Sequence, residues 1–292
     1  MKLLITGKSG QLGRALVNEL GSGHVVMARA RTDLDIGDKA AVRDTVTRIE
    51  PDIIINAAAY TAVDRAETEI EKCRMANALG PQYLASAAKD LGAKMVHFST
   101  DYVFDGHSDR PYSEEDTANP LSVYGLSKLD GDRAVLSSGV PALVLRTGWL
   151  YSSHGPSFVH TIHKKLAAGA TLEVVSDQTG IPTSAEFIAR SLSKLLPELS
   201  TQSTSSGQIL NVACAGSVNW YDFAEYCRQL ASQHVPGANS IKIRPISADD
   251  YGAAAQRPAY SCLSTTALKN RFGIAPPDWK KELETVFSRI EY

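Results

Sequence analysis

Three glycines spaced three residues apart, directly after an apolar run, constrain this chain most strongly. Lys2–Ile5 is almost continuously apolar and reads as a buried strand. Gly7, Gly10 and Gly13 follow, and a helical pattern covers approximately Gln11–Leu20. Glycine permits positive φ and close backbone approach at such a turn, and the free N–H groups of the helix N-terminus attract phosphate. The segment therefore predicts a dinucleotide-binding α/β fold.

The rest of the first half repeats the same order of strand and helix. Apolar strand patterns cover 24–28, 52–56, 94–99 and 142–146, separated by helical patterns at 40–49, 70–91 and 122–136. This alternation predicts a Rossmann-type, doubly wound parallel sheet. We expect residues 1–149 to form the dinucleotide-binding domain, joined by parts of 174–215. Residues 150–292 are expected to form mainly a smaller α/β substrate domain, and 200–207 a surface loop.

The end of the second strand bears on the choice between NADPH and NADH. Arg29 and Arg31 stand there with no acidic residue at the tip. A planar guanidinium suits a 2′-phosphate, so the pattern favours NADPH, although NADH stays possible and both arginines could be solvated. Asp35 and Ile36, just beyond, are assigned to the cofactor site; Asp35 could equally be a turn residue.

A tyrosine and a lysine four residues apart form a Y-x-x-x-K motif near the start of a helix. Tyr124 and Lys128 share one helix face, so the phenol and the amine can converge. The nearby cation is expected to lower the tyrosine pKa, which is normally about 10. Thr100 ends an upstream strand at its carboxyl edge, where ligands bind in open α/β sheets. The set predicts carbonyl reduction, with Tyr124 donating a proton and Thr100 a hydrogen bond.

Composition excludes several classes of function. The formal net charge of −2 gives no electrostatic support for nucleic-acid binding. No apolar run approaches the ~18 residues that a membrane span needs. The four cysteines have no C-x-x-C spacing, so we expect neither zinc nor disulfides and place the chain in the cytoplasm.

With these residues in view, the chain resembles the dTDP-4-dehydrorhamnose reductases, a family of extended short-chain dehydrogenases. The resemblance extends from Met1 to about Lys280. Its most specific strings are Asn-Ala-Ala-Ala-Tyr-Thr-Ala-Val-Asp at 56–64 and Ser-Thr-Asp-Tyr-Val-Phe-Asp-Gly at 99–106. Further matches lie at 4–13, 34–36, 123–128, 146–151, 177–183, 256–258 and 277–279.

The resemblance implies reduction of the C4 ketone of dTDP-4-dehydro-6-deoxy-L-mannose to dTDP-L-rhamnose. It implies that Lys128 also holds the nicotinamide ribose. Sugar-nucleotide contacts are expected from Thr100, Asp101, Trp149 and Arg257. Trp149 could instead be a core residue, and Arg257 either pairs with the diphosphate or forms a surface ion pair. The remaining cofactor contacts implied by the resemblance come from Gly10, Gln11, Leu12, Ala59, Tyr60 and Thr61.

Three matters stay open at this point. Some family members bind Mg²⁺ through glutamates at a dimer interface, but Ala15 replaces one of them and only Glu186 matches another, so Mg²⁺ is doubtful. His160 and His163 do not replace the missing magnesium ligand convincingly. The sequence is compatible with both a monomer and a homodimer. The chain could also reduce a related nucleotide-linked 4-ketosugar. A non-catalytic regulator like that of methionine adenosyltransferase is the further alternative, which the intact Tyr124 disfavours.

Overall fold

A parallel six-stranded sheet forms the centre of the computed structural model, which describes residues 1–201 and 207–290. Its strands lie in the order β2-β1-β3-β4-β5-β10, and every pairing is parallel. The order reverses between β1 and β3, the position at which doubly wound sheets open a ligand crevice. The predicted fold class is confirmed. The strands are β1 (Lys2–Thr6), β2 (Val25–Arg29), β3 (Ile53–Asn56), β4 (Lys94–Thr100), β5 (Ala142–Thr147) and β10 (Gln208–Asn211).

Helices cover both faces of this sheet because side chains alternate between faces along each strand. Leu3 and Ile5 pack in the cluster that includes residues of α1 and α8, whereas Leu4 packs with residues of α2, α5 and α6. These helices are α1 (Gln11–Leu20), α2 (Lys39–Ile49), α5 (Gly80–Leu91), α6 (Val123–Ser137) and α8 (Ala185–Thr201); the short α3 (Val63–Ala66) and α4 (Ile70–Arg74) precede α5.

The second half adds short strand pairs and further helices. Strand β10 returns to the large sheet beside β5, and α8 packs against α1. The division of the chain into two domains stays a prediction. The elements are β6 (Leu150–Tyr151), α7 (Phe158–Ala167), β7 (Leu172–Val175), β8 (Thr179–Gly180), β9 (Thr183–Ser184), β11 (Val218–Asn219), α9 (Trp220–Ala231), β12 (Ile243–Ile246), α10 (Ala248–Tyr251), α11 (Thr266–Phe272) and α12 (Trp279–Phe287).

Two predicted segments differ from the structure. The helix expected over 70–91 is α4 and α5 joined by a π-helical turn, Met75–Leu79, which widens the helix just before Gly80. The loop expected at 200–207 begins later, because α8 continues to Thr201 with Pro197 inside it. Residues 202–206 of that loop lie outside the described residues.

Candidate active site

The glycine turn after β1 leaves the start of α1 open to an anion. Gly7 has φ +73°, and a Cβ on it would stand 2.6 Å from the carbonyl oxygen of Ala57. A Cβ on Gly13 would stand 2.1 Å from the carbonyl oxygen of Gly7, so glycine is required at both positions. Gly10 is the N-cap of α1 and supplies no side-chain acceptor. The first N–H groups of the helix, including those of Gln11 and Leu12, can therefore face a phosphate.

Basic and acidic side chains meet at the end of β2. Arg31 is 80% exposed and lies 3.5 Å from Asp35, whereas the Arg29 guanidinium donates to the Ala28 carbonyl oxygen. The sequence argument missed Asp33, whose carboxylate accepts from the N–H of Ala30 and pairs with Lys8 at 2.8 Å. An acidic residue therefore does lie near the end of β2. It forms an ion pair with Lys8 of the glycine turn.

The two residues beyond the arginines shape the neighbouring turn. Asp35 accepts from the N–H of Gly37, and Ile36 is buried against Gly80, where an added Cβ would stand 2.7 Å from it. Gly80 therefore permits close packing of α5 against this loop.

The loop after β3 is held by Asn77, which sequence reasoning did not identify. Its Oδ1 accepts from the N–H of Tyr60 at 2.8 Å, and its Nδ2 donates to the Tyr60 carbonyl oxygen at 3.0 Å and to the Ser127 hydroxyl at 3.1 Å. Asn77 lies in the π-helical turn, a distortion that often marks functional sites. Ala59 and Thr61, beside Tyr60, remain exposed.

Thr100 and Tyr124 meet at the carboxyl end of β4. Ser122 caps α6 by accepting from the N–H of Gly125, which places Tyr124 in the first turn. Burial raises the pKa of the Tyr124 phenol, an effect only partly offset by its hydrogen bond with Thr100. The expectation that Lys128 lowers this pKa is wrong for this structure. The phenol is held protonated, which is the form that a proton donor needs.

Lys128 is buried one turn further along α6 and points at the sheet. Its Nζ donates to the carbonyl oxygen of Phe98 at 2.6 Å and lies 3.5 Å from Nε2 of His97. Desolvation lowers the pKa of the Lys128 amine to about 8. Tyr124 and Lys128 therefore lie at the same site, as the helical spacing predicts. The hydrogen bond of the Lys128 amine, however, is made with β4 and not with the Tyr124 phenol.

A charged cluster that the sequence did not reveal lies behind Lys128. Asp132, one turn further along α6, is fully buried and accepts from the Ser99 hydroxyl at 2.8 Å and from Nε of Arg146 at 3.4 Å, both through its Oδ2. Its Oδ1 lies 3.7 Å from Nε2 of His97. Burial raises the pKa of Asp132, against the attraction of Arg146 and Lys128.

Asp101 stands next to Thr100 and is almost completely buried. Its Oδ1 accepts from the Thr100 hydroxyl at 3.1 Å, while its Oδ2 makes no well-aligned hydrogen bond among the described residues, although the Ser261 side chain lies against the carboxyl group and lowers its pKa. Burial raises its pKa to about 6. A Cβ on Gly148 would stand 2.4 Å from this carboxyl group, so glycine is needed there. An unsatisfied buried carboxylate oxygen is costly, so a ligand hydroxyl is a suitable partner for it.

Trp149 combines a rare backbone conformation with deep packing. Its φ is +48°, a left-handed conformation that is uncommon for bulky side chains. The residue is 9% exposed, and its ring stacks on Trp220 with centroids 3.4 Å apart. Gly180 lies against it, since an added Cβ there would stand 2.2 Å from the indole nitrogen. Strained residues cluster at functional sites, and sugar contact by Trp149 stays a prediction.

Arg257 forms a bidentate ion pair with Asp64. Its Nη1 and Nη2 lie 2.9 and 2.7 Å from the two carboxylate oxygens, and Nη1 also donates to the Ala255 carbonyl oxygen. Asp64 belongs to α3, just after the expected cofactor loop. The pair therefore joins that loop to the C-terminal part of the chain, and a diphosphate contact by Arg257 stays a prediction.

The residues of this chain do not fit the Mg²⁺ site that some members of the family have. Ala15 carries no ligand atom. Oε1 of Glu186 accepts from the backbone N–H and the hydroxyl of Ser153, which leaves a single carboxylate oxygen, Oε2, without a partner among the described residues. His160 hydrogen-bonds Ser157 through Nδ1. Across residues 1–201 and 207–290, no group of three or more His, Cys, Asp and Glu side chains could hold a metal.

Among doubly wound proteins, a phenol and an amine on one helix beside the carboxyl end of the fourth strand are typical of short-chain dehydrogenases/reductases. The comparison with protein families identifies the particular group. The chain belongs to the RmlD substrate binding domain family, whose model matches residues 1–292.

Named relatives and solved structures agree with this membership. The chain is 39% identical to the dTDP-4-dehydrorhamnose reductase of Aggregatibacter actinomycetemcomitans, with 99% of each chain covered. It is 38% identical to a probable dTDP-4,6-dihydroxy-2-methyloxan-3-one 4-ketoreductase of Streptomyces antibioticus, covering 99% of this chain and 96% of that protein. The crystal structure of dTDP-4-dehydrorhamnose reductase from Bacillus anthracis in complex with NADP matches with a TM-score of 0.90 at 34% identity, covering 98% of each chain.

In the part of the chain that the structure describes, no helix is both long and apolar enough to span a membrane.

Proposed function

We propose that this protein is an oxidoreductase that uses NADPH to reduce the C4 ketone of dTDP-4-dehydro-6-deoxy-L-mannose, giving dTDP-L-rhamnose. The observation that carries the proposal is the half-buried phenol of Tyr124, which desolvation keeps protonated and which hydrogen-bonds Thr100 at the carboxyl end of β4. Two relatives support it by name, one of them in complex with NADP. NADPH, when bound, supplies the hydride that reaches C4.

The protein's own residues manage the proton and the orientation of the ketone. Tyr124 keeps its proton until negative charge develops on the ketone oxygen, and then donates it; such general acid catalysis contributes roughly 10²–10⁴-fold. Thr100 turns its hydroxyl proton, which points at Asp101 in the free protein, to the same oxygen and so stabilises the developing charge. Asp101, with one oxygen unsatisfied, accepts from a sugar hydroxyl. Lys128 holds the nicotinamide ribose and places a positive charge near the resulting phenolate.

The cofactor site is proposed to follow the first half of the sheet. Gly7, Gly10 and Gly13 let the pyrophosphate approach the start of α1, where Gln11 and Leu12 offer N–H groups. Arg31 is the exposed cation for a 2′-phosphate, which favours NADPH while NADH remains usable. The remaining contacts are assigned to Asp35, Ile36, Ala59, Tyr60 and Thr61.

The substrate site is proposed to lie between this half and the remainder of the chain. Residues 1–149 form the dinucleotide-binding domain, and residues 150–292 form mainly the substrate-binding domain. Trp149, at the end of the first domain, and Arg257, in the second, contact the sugar nucleotide. The return of β10 and α8 to the large sheet supports the assignment of parts of 174–215 to the first domain. The protein is proposed to act in the cytoplasm as a monomer or homodimer, consistent with four cysteines that are free and buried.

A second candidate is reduction of a related nucleotide-linked 4-ketosugar. The Streptomyces relative, 38% identical over nearly the full chain, carries the name of such a 4-ketoreductase. Thr100, Tyr124 and Lys128 act on the ketone oxygen and on the cofactor, so they do not distinguish the epimers.

The test is a panel of dTDP-linked 4-ketosugars incubated with NADPH, with each product identified by NMR. The proposal expects the L-rhamnose product from the 4-dehydro-L-rhamnose substrate. A different preferred sugar would establish the second candidate. NADPH binding without reduction of any member would favour a regulatory protein.

A further inference from the structure

A row of polar side chains crosses the sheet from the glycine turn to Lys128. Thr6 of β1 pairs in register with Asn56 of β3, and Asn56 pairs with His97 of β4. All three side chains are essentially buried. Buried polar side chains are normally hydrogen-bonded. The hydrogen-bond partners of these three residues therefore show which atoms donate and which accept.

The orientation of the Asn56 amide is fixed by two donors. Its Oδ1 accepts from the Thr6 hydroxyl at 2.7 Å and from the backbone N–H of Ala58 at 3.2 Å. Its Nδ2 must therefore face Nδ1 of His97, at 3.0 Å. An amide nitrogen only donates, so Nδ1 of His97 must accept and carries no proton.

His97 is neutral as well as fixed in orientation. Complete burial and the nearby Lys128 amine hold its pKa well below the ordinary value. A neutral imidazole with an unprotonated Nδ1 carries its proton on Nε2. That N–H lies between Nζ of Lys128, at 3.5 Å, and Oδ1 of Asp132, at 3.7 Å.

The Nε2–H tautomer of His97 limits the hydrogen bonds that the Lys128 amine can make. An ammonium has three donors and no acceptor, so Lys128 cannot donate to a protonated Nε2. One N–H is used by the Phe98 carbonyl oxygen. The distance of 3.5 Å to His97 is longer than an ordinary hydrogen bond, as expected when a donor faces a donor. The other two N–H groups remain for ligands.

We propose that His97 is a positioning residue for Lys128: locked by Asn56 as the Nε2–H tautomer, it offers the amine no acceptor beyond the Phe98 carbonyl oxygen and so leaves two N–H groups of Lys128 for the cofactor. This inference rests on the proposed function only in assigning Lys128 to NADPH. The same N–H faces the unsatisfied oxygen of Asp132, whose other oxygen is engaged by Ser99 and Arg146.

Two substitutions distinguish the contributions of the two ring nitrogens of His97. His97→Gln can place an amide N–H near the position of Nε2 but loses the acceptor for Asn56. His97→Asn keeps an acceptor near Nδ1 and removes the N–H that faces Lys128. NADPH dissociation constants, measured by fluorescence, should stay within about threefold of wild type for His97→Gln and rise about tenfold for His97→Asn, which corresponds to roughly one hydrogen bond between Lys128 and the cofactor.

A merely structural role predicts the opposite result. If His97 serves only to satisfy Asn56, His97→Asn binds NADPH like wild type and His97→Gln is the damaged variant. A reduced folded fraction would lower the number of binding sites without changing the dissociation constant, so the two effects are separable. The reversed order, or equal constants in both variants, would overturn the proposal.

A direct readout of the tautomer completes the test. Nitrogen-15 NMR of histidine-labelled protein should show, for the signal absent in His97→Asn, a protonated Nε2 and an unprotonated Nδ1 that do not titrate between about pH 6 and 8. A protonated Nδ1 or an imidazolium would overturn the proposal. Neither measurement needs a sugar substrate. Failure of wild type to bind NADPH would count against the proposed function, whereas the NMR result concerns His97 alone.

Discussion

The ion pair between Asp64 and Arg257 gives a quantitative prediction about how the two parts of the chain are joined. Both contacts are short, and the side chains are 46% and 18% exposed, respectively. A hydrogen bond to a charged group contributes about 1.5–3 kcal/mol when buried, and exposed ion pairs contribute about 0–1 kcal/mol. We therefore expect a coupling of roughly 1–2 kcal/mol, intermediate between these limits.

The assay is a double-mutant cycle on Asp64→Asn and Arg257→Met, read out as the free energy of unfolding in urea. Each single variant should lower Tm by about 2–6 °C, and the double variant should be little worse than either single one. The pKa of Asp64 is lowered by Arg257, so this stability is present at neutral pH and is lost as the pH falls through the lowered pKa.

A matched control is the bidentate pair between Arg110 and Asp116, which lies within one half of the chain and whose arginine is 61% exposed. Its coupling should stay below about 1 kcal/mol. If the effects of Asp64→Asn and Arg257→Met simply add, the pair does not join the two parts. Arg257 would then serve the substrate diphosphate alone.

Three further predictions concern the cofactor, the sugar site and pH. Arg31→Ala should lower kcat/KM for NADPH about tenfold while leaving NADH unchanged, since a charge-assisted phosphate contact is lost; a wild type that prefers NADH would contradict this. Trp149→Ala should cost about 3 kcal/mol of stability through loss of the stack with Trp220, and should weaken sugar-nucleotide binding but not NADPH binding. NADPH affinity should fall as the pH rises through about 8, where Lys128 loses its proton; Lys128→Arg, which does not titrate there, should abolish this dependence.

The parts of the site that were predictable from sequence depend on local geometry. The glycine turn is predictable because only glycine tolerates the φ of Gly7 and the approach of Gly13. Tyr124 and Lys128 are predictable because residues four apart share a helix face. Thr100 follows from the rule that strand ends in an open sheet face the ligand.

The parts that were not predictable depend on contacts between distant residues. Trp149 meets Trp220, and Asp64 meets Arg257, across 71 and 193 positions, and no period or spacing in the sequence encodes such pairs. The raised pKa of Tyr124 was missed for a related reason. Its cause is burial by surrounding elements, which outweighs the cation that the motif suggests.

The most direct test of the central claim is single-turnover oxidation of NADPH with dTDP-4-dehydro-6-deoxy-L-mannose, comparing wild type with Tyr124→Phe. Phenylalanine keeps the ring and its packing but has no proton to transfer. The account predicts a rate lower by roughly 10²–10⁴-fold, with NADPH affinity and Tm close to wild type. Reduction of the ketosugar by Tyr124→Phe at the wild-type rate would contradict it.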